Sequence, residues 1–525
     1  MAKYRITLVE PHGVKTRDLD GRVLGTFRPN TPLHTQPIVA GSLIREVGRD
    51  FDVRIYNPKI VAPEHEELYR KTSSYGNGSL STLHHWRVGE SIESENFREI
   101  SLNSDIMGIT ANHTQCAHSA IALAKKAKEV NPGIKVVYGG SDACSRPHFY
   151  LSEGRGEVVV PKDGETTGPR VVSALVGNGS LENIPSIAYR FGEGIRINRP
   201  DKSRGWANRM ISVPLPALQL VKEQIPDWTD DYKGPPTGGI KAPLAYAEFA
   251  RGCPERCGFC TTAGTNYSFM ETGQVKQYAR HLKAYGISTL LLIADNELAQ
   301  SLVPHGKIEK GATGRELLIE RFAILKEEGF KWNFWNGLQI SLLRKQDGSL
   351  DSDLMHAMFS GAYEMYIPSE GLIGDIFYDK QRGNPKVRRM DGRNADEVFE
   401  SNMSILEEIA RIGVPKMTLG FIVGYPHDSL ERVRLLARPF SKVKERLKRA
   451  NPGIEVLFTP LLHTPLLGTR DYQEYSSRQL ITCDIRKDPE LWQFGLTTYA
   501  QHEMVEERLR LIEVLNGQSA PPTGR

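Results

Sequence analysis

At 525 residues the chain is too long for one ordinary core and long enough for two or three domains. Its composition, 39% hydrophobic and 25% charged with no biased tract, is that of a soluble globular protein. A net charge of +4 is too weak to argue for nucleic acid or a membrane surface.

The opening stretch MAKYRITLVEPHG enters a strand pattern at once. It lacks the apolar core and small-residue cleavage site of a signal peptide, and no run reaches about 18 apolar residues, so a cytoplasmic protein is expected. YRITLVEPHG reads as a buried strand running into a loop, PIVAGSLIREVGRD as a helix and FDVRIYNP as a second strand. A polar insertion fills about residues 60–100. SDIMGITANHT, IKVVYGGSDA and GEVVVPKDGETT read as further strands, with the helices HSAIALAKKAKEVNPG and GPRVVSALVG between and after them. Strands alternating with helices imply a parallel sheet covered on both faces, with ligands at the carboxyl ends of the strands.

From about 180 to 240 the rhythm breaks into a small hairpin, IPSIAYRFGEGIRINRP, and a Pro/Gly-rich linker. A second alternation begins at APLAYAEFARGC and continues through the strands ISTLLLIADNE, KWNFWNGLQI, AYEMYIPSEG, KMTLGFIVGYP and IEVLFTPLL. That makes six strand–helix units, fewer than a full eight-unit barrel. The expected domains are residues 1–180, a hairpin and linker at 181–240, a second domain at 241–470 and a helical cap with a disordered tail at 471–525.

Three of the six cysteines, Cys253, Cys257 and Cys260, lie in the single loop ARGCPERCGFCTT. The loop follows the first strand of the second alternation, and Pro254 and Gly258 favour a turn that lets three thiolates face one object. Structural zinc wants four closed ligands, so it would need a distant cysteine or histidine to complete the set. An iron–sulfur cube gripped by three thiolates keeps one iron open to a substrate or cofactor. Cys116 and Cys144 read as plain thiols.

The spacing Cys-x3-Cys-x2-Cys, with Phe259 as the aromatic residue before the third cysteine, resembles the hallmark of the radical S-adenosylmethionine (SAM) superfamily. The resemblance covers about residues 1–470 and is to the members that carry a cobalamin-binding domain, the class B methyltransferases among them. It implies a Rossmann-like, cobalamin-binding parallel sheet followed by a partial (β/α)6 radical SAM barrel and a small helical C-terminal region. It also implies a [4Fe–4S] cluster on Cys253, Cys257 and Cys260, SAM on the open iron, and a 5′-deoxyadenosyl radical made by reductive cleavage of SAM. Asp295, Asn296 and Glu297, in LLIADNELA, correspond to the positions that meet the SAM amino group. Ile422, Val423 and Gly424, in LGFIVGYP, correspond to the strand along the adenine. No arginine follows the third strand of the barrel at the place usual in the family, so Gln339 and Ser341 are the expected substitutes. Glu370, in PSEG, is the expected contact to the SAM ribose or carboxylate.

The resemblance also assigns a corrin site to the first domain. The loop Glu10-Pro11-His12 has the acid-x-His core of cobalamin domains that ligate cobalt, without their glycine. Thr110, Asn112, His113, Thr114, Gly139, Gly140, Ser141, Gly164, Glu165 and Thr166 stand at strand ends, where glycines admit a flat macrocycle. Asp163-Gly-Glu165 departs from the more usual Gly-Glu-Gly-Glu turn. The function implied is C-methylation of an unactivated carbon in a small-molecule, natural-product or peptide substrate. An electron donor such as flavodoxin or ferredoxin is implied, and neither membrane nor nucleic acid as partner. A non-methylating rearrangement or cyclisation, an empty first domain and a metal-stabilised binding protein are the rival readings.

Overall fold

The computed structural model describes residues 4–21, 23–27, 35–73, 82–161, 164–177, 179–199, 209–210, 215–224, 244–303, 311–369, 372, 395–426, 428–481, 487–490 and 501–517. The first half folds through β1 (Tyr4–Val9), β2 (Gly13–Arg17), β3 (Val23–Phe27), β4 (Phe51–Tyr56), β5 (Glu66–Ser73), β6 (Thr82–Val88), β7 (Ile106–Thr110), β8 (Lys135–Gly139), β9 (Val158–Val159), β10 (Ala188–Phe191) and β11 (Gly194–Ile197). Seven of these form one sheet in the order β11-β10-β9-β8-β7-β1-β4. The pairs β4–β1, β1–β7, β7–β8 and β8–β9 are parallel, whereas β9–β10 and β10–β11 are antiparallel. The hairpin expected near residue 190 thus extends the same sheet. Helices 35–47 and 164–175 cover one face, and helices 95–102 and 117–130 pack with the core on the other.

The polar insertion supplies β5 and β6 to a second sheet, which β2 and β3 complete from the segment after β1. β2, β3, β5 and β6 pair antiparallel in the order β3-β2-β6-β5. Its strands carry histidines, arginines and threonines in place of aliphatics, which hides the period-two alternation. The polar groups pair inside the sheet: His85 lies 3.0 Å from the Thr16 hydroxyl through Nδ1 and 2.9 Å from the Thr72 hydroxyl through Nε2.

The second half begins with β12 (Arg209–Met210), β13 (Leu244–Ala247), β14 (Ala250–Arg251) and β15 (Ser268–Phe269). It continues through β16 (Thr289–Leu292), β17 (Lys331–Phe334), β18 (Ala362–Pro368), β19 (Lys416–Val423) and β20 (Glu455–Leu462). Six strands pair parallel in strict sequence, β13-β16-β17-β18-β19-β20. Among the described residues β13 and β20 do not pair, so the sheet is open. β16 and most of β19 are buried on both faces, which explains their unbroken apolar runs. Helix 314–327 starts on a capping box, in which Thr313 and Glu316 satisfy each other's backbone N–H. The free edge of β20 is covered by helix 501–516, whose Asn516 amide makes two 2.9 Å bonds to the Phe458 backbone.

The aromatic stretch at 332–337 divides between two roles. Trp332 is fully buried in the core beneath the helices and donates to the Met358 carbonyl, while Trp335 meets Tyr246 edge-on at 6.2 Å. The basic run 430–450 is two helices, 430–435 and 437–450, and its Arg446 is paired with Glu400 and Glu407. Among the described residues no helix is long and apolar enough to cross a membrane.

Candidate cofactor site between the two sheets

β14 and β15 pair antiparallel and hold the cysteine loop between them at the carboxyl end of β13. At its entry Gly252 has φ +84, and its N–H donates to the Asp295 carboxylate at 2.8 Å. Asp295 follows β16, so the second strand of the open sheet fixes the start of the loop. Cys253 N–H donates to the Thr265 hydroxyl at 3.0 Å, and Cys260 N–H to the Cys257 carbonyl at 3.2 Å. Cys257 is buried, Cys253 and Cys260 are half-buried, and none of the three is in a disulfide. Phe259 is half-buried between the last two. Gly258 accepts from the Asp471 N–H at 3.0 Å, and Asp471 is bound through Oδ2 to the buried His463 at 3.0 Å. Among the described residues no three His, Cys, Asp or Glu side chains gather as around a single ion. Three thiols on one loop suit an iron–sulfur cube, which three thiolates can hold, better than a zinc centre closed by four ligands.

Beside the loop runs a buried polar chain. Asn296 Nδ2 donates to Gln339 Oε1 at 3.1 Å, and Gln339 Nε2 donates to Glu255 Oε1 at 3.0 Å. Glu255 lies within the cysteine loop, a participant that the spacing of the cysteines does not announce. Asn296 Oδ1 and Ser341 Oγ are buried without a hydrogen-bond partner among the described residues. Such orphaned atoms fit a polar ligand at this end of the sheet, since burying them unpaired costs stability.

Other expectations for this region meet a different arrangement. Glu297 does not face the loop: it is buried against Arg321, 2.5 Å from the guanidinium, and burial pushes its carboxyl up against the pull of that cation. Its reach is diverted because helix 314–327 presents the arginine directly behind it. The Val423 side chain packs into the core, Ile422 is half-buried, and Gly424 (φ +81) lies under Met504 of the C-terminal helix. Glu370 falls outside the described residues, as do residues 491–500 of the expected helical cap. Of that cap, Glu490 is fully buried and receives the Tyr69 hydroxyl at 2.7 Å.

A cavity of about 510 Å³ joins the cysteine loop to the first sheet. Thr110, Asn112, Gly139, Gly140, Ser141, Gly164 and Glu165 line it from the strand ends. Gly252, Thr262, Thr265 and Asp295 line it from the loop. Gly140 has φ +105, and a Cβ there would lie 2.7 Å from the Ala111 carbonyl carbon, so only glycine keeps this floor flat. Asn112 is oriented by the Ser141 N–H at 3.2 Å. Glu165 is committed to an ion pair with Arg251, which also holds Glu248 at 2.7 Å. Burial works against the Arg251 charge, but the two carboxylates outweigh it and raise its pKa. The pair ties the helix that follows β9 to the residue before Gly252-Cys253.

Four expected cobalamin residues are not on this cavity. Thr114 is spent on Asp142, 2.6 Å away. His113 and Thr166 are exposed and do not line it. The expected axial ligand His12 is buried, with Nδ1 2.9 Å from the Ser119 hydroxyl and Nε2 2.6 Å from the Glu90 carbonyl. Both ring nitrogens are therefore occupied by the fold. Burial pushes the His12 pKa down to about 3. An imidazole kept neutral in the fold but titrating near 6.5 when unfolded contributes stability above pH 6.5, lost as pH falls towards 3. The loss is about 1.4 kcal/mol per pH unit. Denaturant titrations between pH 6 and pH 4 are expected to show a shallower loss of stability in His12→Gln than in the wild type; equal slopes would refute this.

No protein-family model matches the chain. Over 333 residues it is 23% identical to an uncharacterized methyltransferase, PH0819, of Pyrococcus horikoshii, a match covering 63% of this chain and 62% of that protein. Over 188 residues it is 28% identical to the hopanoid C-3 methylase of Methylococcus capsulatus, covering 35% of this chain and 33% of that one. Among solved structures, the cobalamin-dependent SAM radical enzyme OxsB with aqua-cobalamin bound superimposes with a TM-score of 0.63 over 95% of this chain and 65% of that one, at 15% identity. The chain has the fold of the cobalamin-dependent radical SAM enzymes. The radical SAM methyltransferase TsrM of Kitasatospora setae, solved with cobalamin and a [4Fe–4S] cluster, agrees with a TM-score of 0.59 over 91% of this chain and 78% of that one, at 12% identity. The chain thus matches less than two thirds of the length of PH0819, the hopanoid methylase and OxsB.

Proposed function

We propose that the protein is a cobalamin-dependent radical SAM methyltransferase acting on an unactivated carbon of a small molecule. The observation that carries this reading is the single cavity shared by the glycine-rich strand ends of the first sheet and the cysteine loop of the second. A methyl carrier and a radical generator must meet at one substrate, and this cavity is where two such groups would adjoin. When bound, the cluster with SAM would supply a radical that abstracts hydrogen from carbon, and the corrinoid would supply the methyl group.

The chain's own residues hold, orient and shield. Cys253, Cys257 and Cys260 are the cluster ligands in this reading. Asn296 and Ser341 offer their unpartnered oxygens to the polar groups of SAM, with Asn296 oriented by Gln339 and Gln339 by Glu255. Gly139 and Gly140 let the corrin approach the backbone, and the Glu165–Arg251 pair keeps the two halves in register. The names of the relatives, two methyltransferases and a methylase, favour methylation over rearrangement. TsrM was solved with tryptophan as its substrate, which favours a small molecule here as well. The electron donor would be a small redox protein of the flavodoxin or ferredoxin kind.

Anaerobic reconstitution with iron, sulfide and hydroxocobalamin tests the reading. Expected are about four irons per chain, corrinoid absorbance that survives gel filtration, and 5′-deoxyadenosine when SAM and a reductant are added. Protein that keeps zinc and takes up no iron, or that carries iron but releases all corrinoid, would refute it.

A further inference from the structure

Helix 35–47 turns Gln36, Val39 and Leu43 towards the cavity, residues three and seven positions apart that share one helix face. Their neighbours in the lining are aliphatic: Ile6, Leu8 and Ile106 from the sheet and Val172 from helix 164–175. Gln36 breaks this pattern. It is 2% exposed, and neither its Nε2 nor its Oε1 has a hydrogen-bond partner among the described residues.

A buried primary amide with both ends unpaired is costly, and an aliphatic side chain of similar volume would suit this lining better. A neutral side chain that can donate and accept calls for a partner with the same two capacities, an amide or a hydroxyl. An anion would satisfy only the donor and set its lone pairs against Oε1.

We propose that Gln36 reads the bound cofactor, a neutral amide or hydroxyl of which fills its two empty hydrogen-bonding positions. This rests on the corrinoid reading above, since a corrinoid carries such groups both on the rim of its macrocycle and in its nucleotide tail. A cavity of about 510 Å³ is of small-molecule size, so part of a corrinoid enters it and the rest lies across the strand ends.

The test titrates the full-length apoprotein, as wild type and as Gln36→Met, with hydroxocobalamin and with cobinamide, which keeps the amide rim and lacks the tail. Gln36→Met should weaken hydroxocobalamin by roughly 10- to 100-fold, the loss expected for a buried hydrogen-bonding group. The apoprotein should melt no lower than the wild type, because the substitution removes an unpaired amide. An equal loss for cobinamide assigns the partner to the rim, and a loss confined to hydroxocobalamin assigns it to the tail. Unchanged affinity for both corrinoids overturns the proposal, and so does a lower apoprotein melting temperature, which would mean that Gln36 is bonded within the protein. Wild-type protein that binds neither corrinoid would bring down the corrinoid reading itself, whereas wild-type binding with an indifferent variant brings down only the role of Gln36.

Discussion

The triple replacement of Cys253, Cys257 and Cys260 by alanine is expected to abolish iron uptake and to lower 5′-deoxyadenosine formation by at least about a thousandfold, the scale on which losing an essential reactive centre is felt. In the proposed reading each thiolate holds a separate corner of the cube, and the other two cysteines among the described residues are engaged elsewhere. Cys116 is buried beside Val14, its thiol pushed up to about 12 by burial, and Cys144 donates to the Val160 carbonyl at 3.2 Å. Corrinoid binding should persist within a few-fold, because the strand ends of the first sheet stay intact. Iron and sulfide analysis beside a hydroxocobalamin titration reads both effects. Iron retained at wild-type stoichiometry would mean that the cluster sits elsewhere.

Gly252→Ala is expected to reach nearly the same end without touching a ligand. Gly252 holds φ +84, a conformation that costs an alanine about 1–2 kcal/mol. A Cβ there would also overlap the Asn266 carbonyl and lie 2.7 Å from its carbon. Relief by movement is blocked, since Ala250 and Arg251 are registered against Phe269 and Ser268, and the Gly252 N–H is bound to Asp295. The loop entry must therefore shift, carrying Cys253 out of register with Cys257 and Cys260. Reconstituted iron should fall below about a tenth of the wild-type value, against a far-UV circular dichroism spectrum that stays unchanged because the strain is confined to one turn. Full iron loading in this variant would show that the loop tolerates another path.

Much of the architecture was legible along the chain. Aliphatic runs such as those of β16 and β19 are buried on both faces, and a run of that kind can scarcely be anything but a parallel strand. The antiparallel sheet of β2, β3, β5 and β6 was not legible. Its strands carry His85, Thr16 and Thr72, which bond to one another across the sheet, and Arg70, whose partners Asp488 and Glu490 lie far along the chain. Hydrophobic periodicity reports burial only where burial is apolar. His12 misled for the same reason, since an acid-x-His loop looks alike whether its imidazole points at a ligand or is closed in by Ser119 and Glu90.

By itself the sequence determined the two βα alternations, the loop that carries three thiols and the glycines at strand ends, because each is a matter of local spacing and backbone freedom. Only the tertiary structure decided which polar groups converge. Asn296 reaches Gln339 across 43 positions and Gln339 reaches Glu255 across 84. Arg251 locks onto Glu165 across 86, and Gln36 is left without a partner among the described residues beside the same cavity. Pairing and burial of polar side chains are set by long-range packing, and packing of that range leaves no period in the chain.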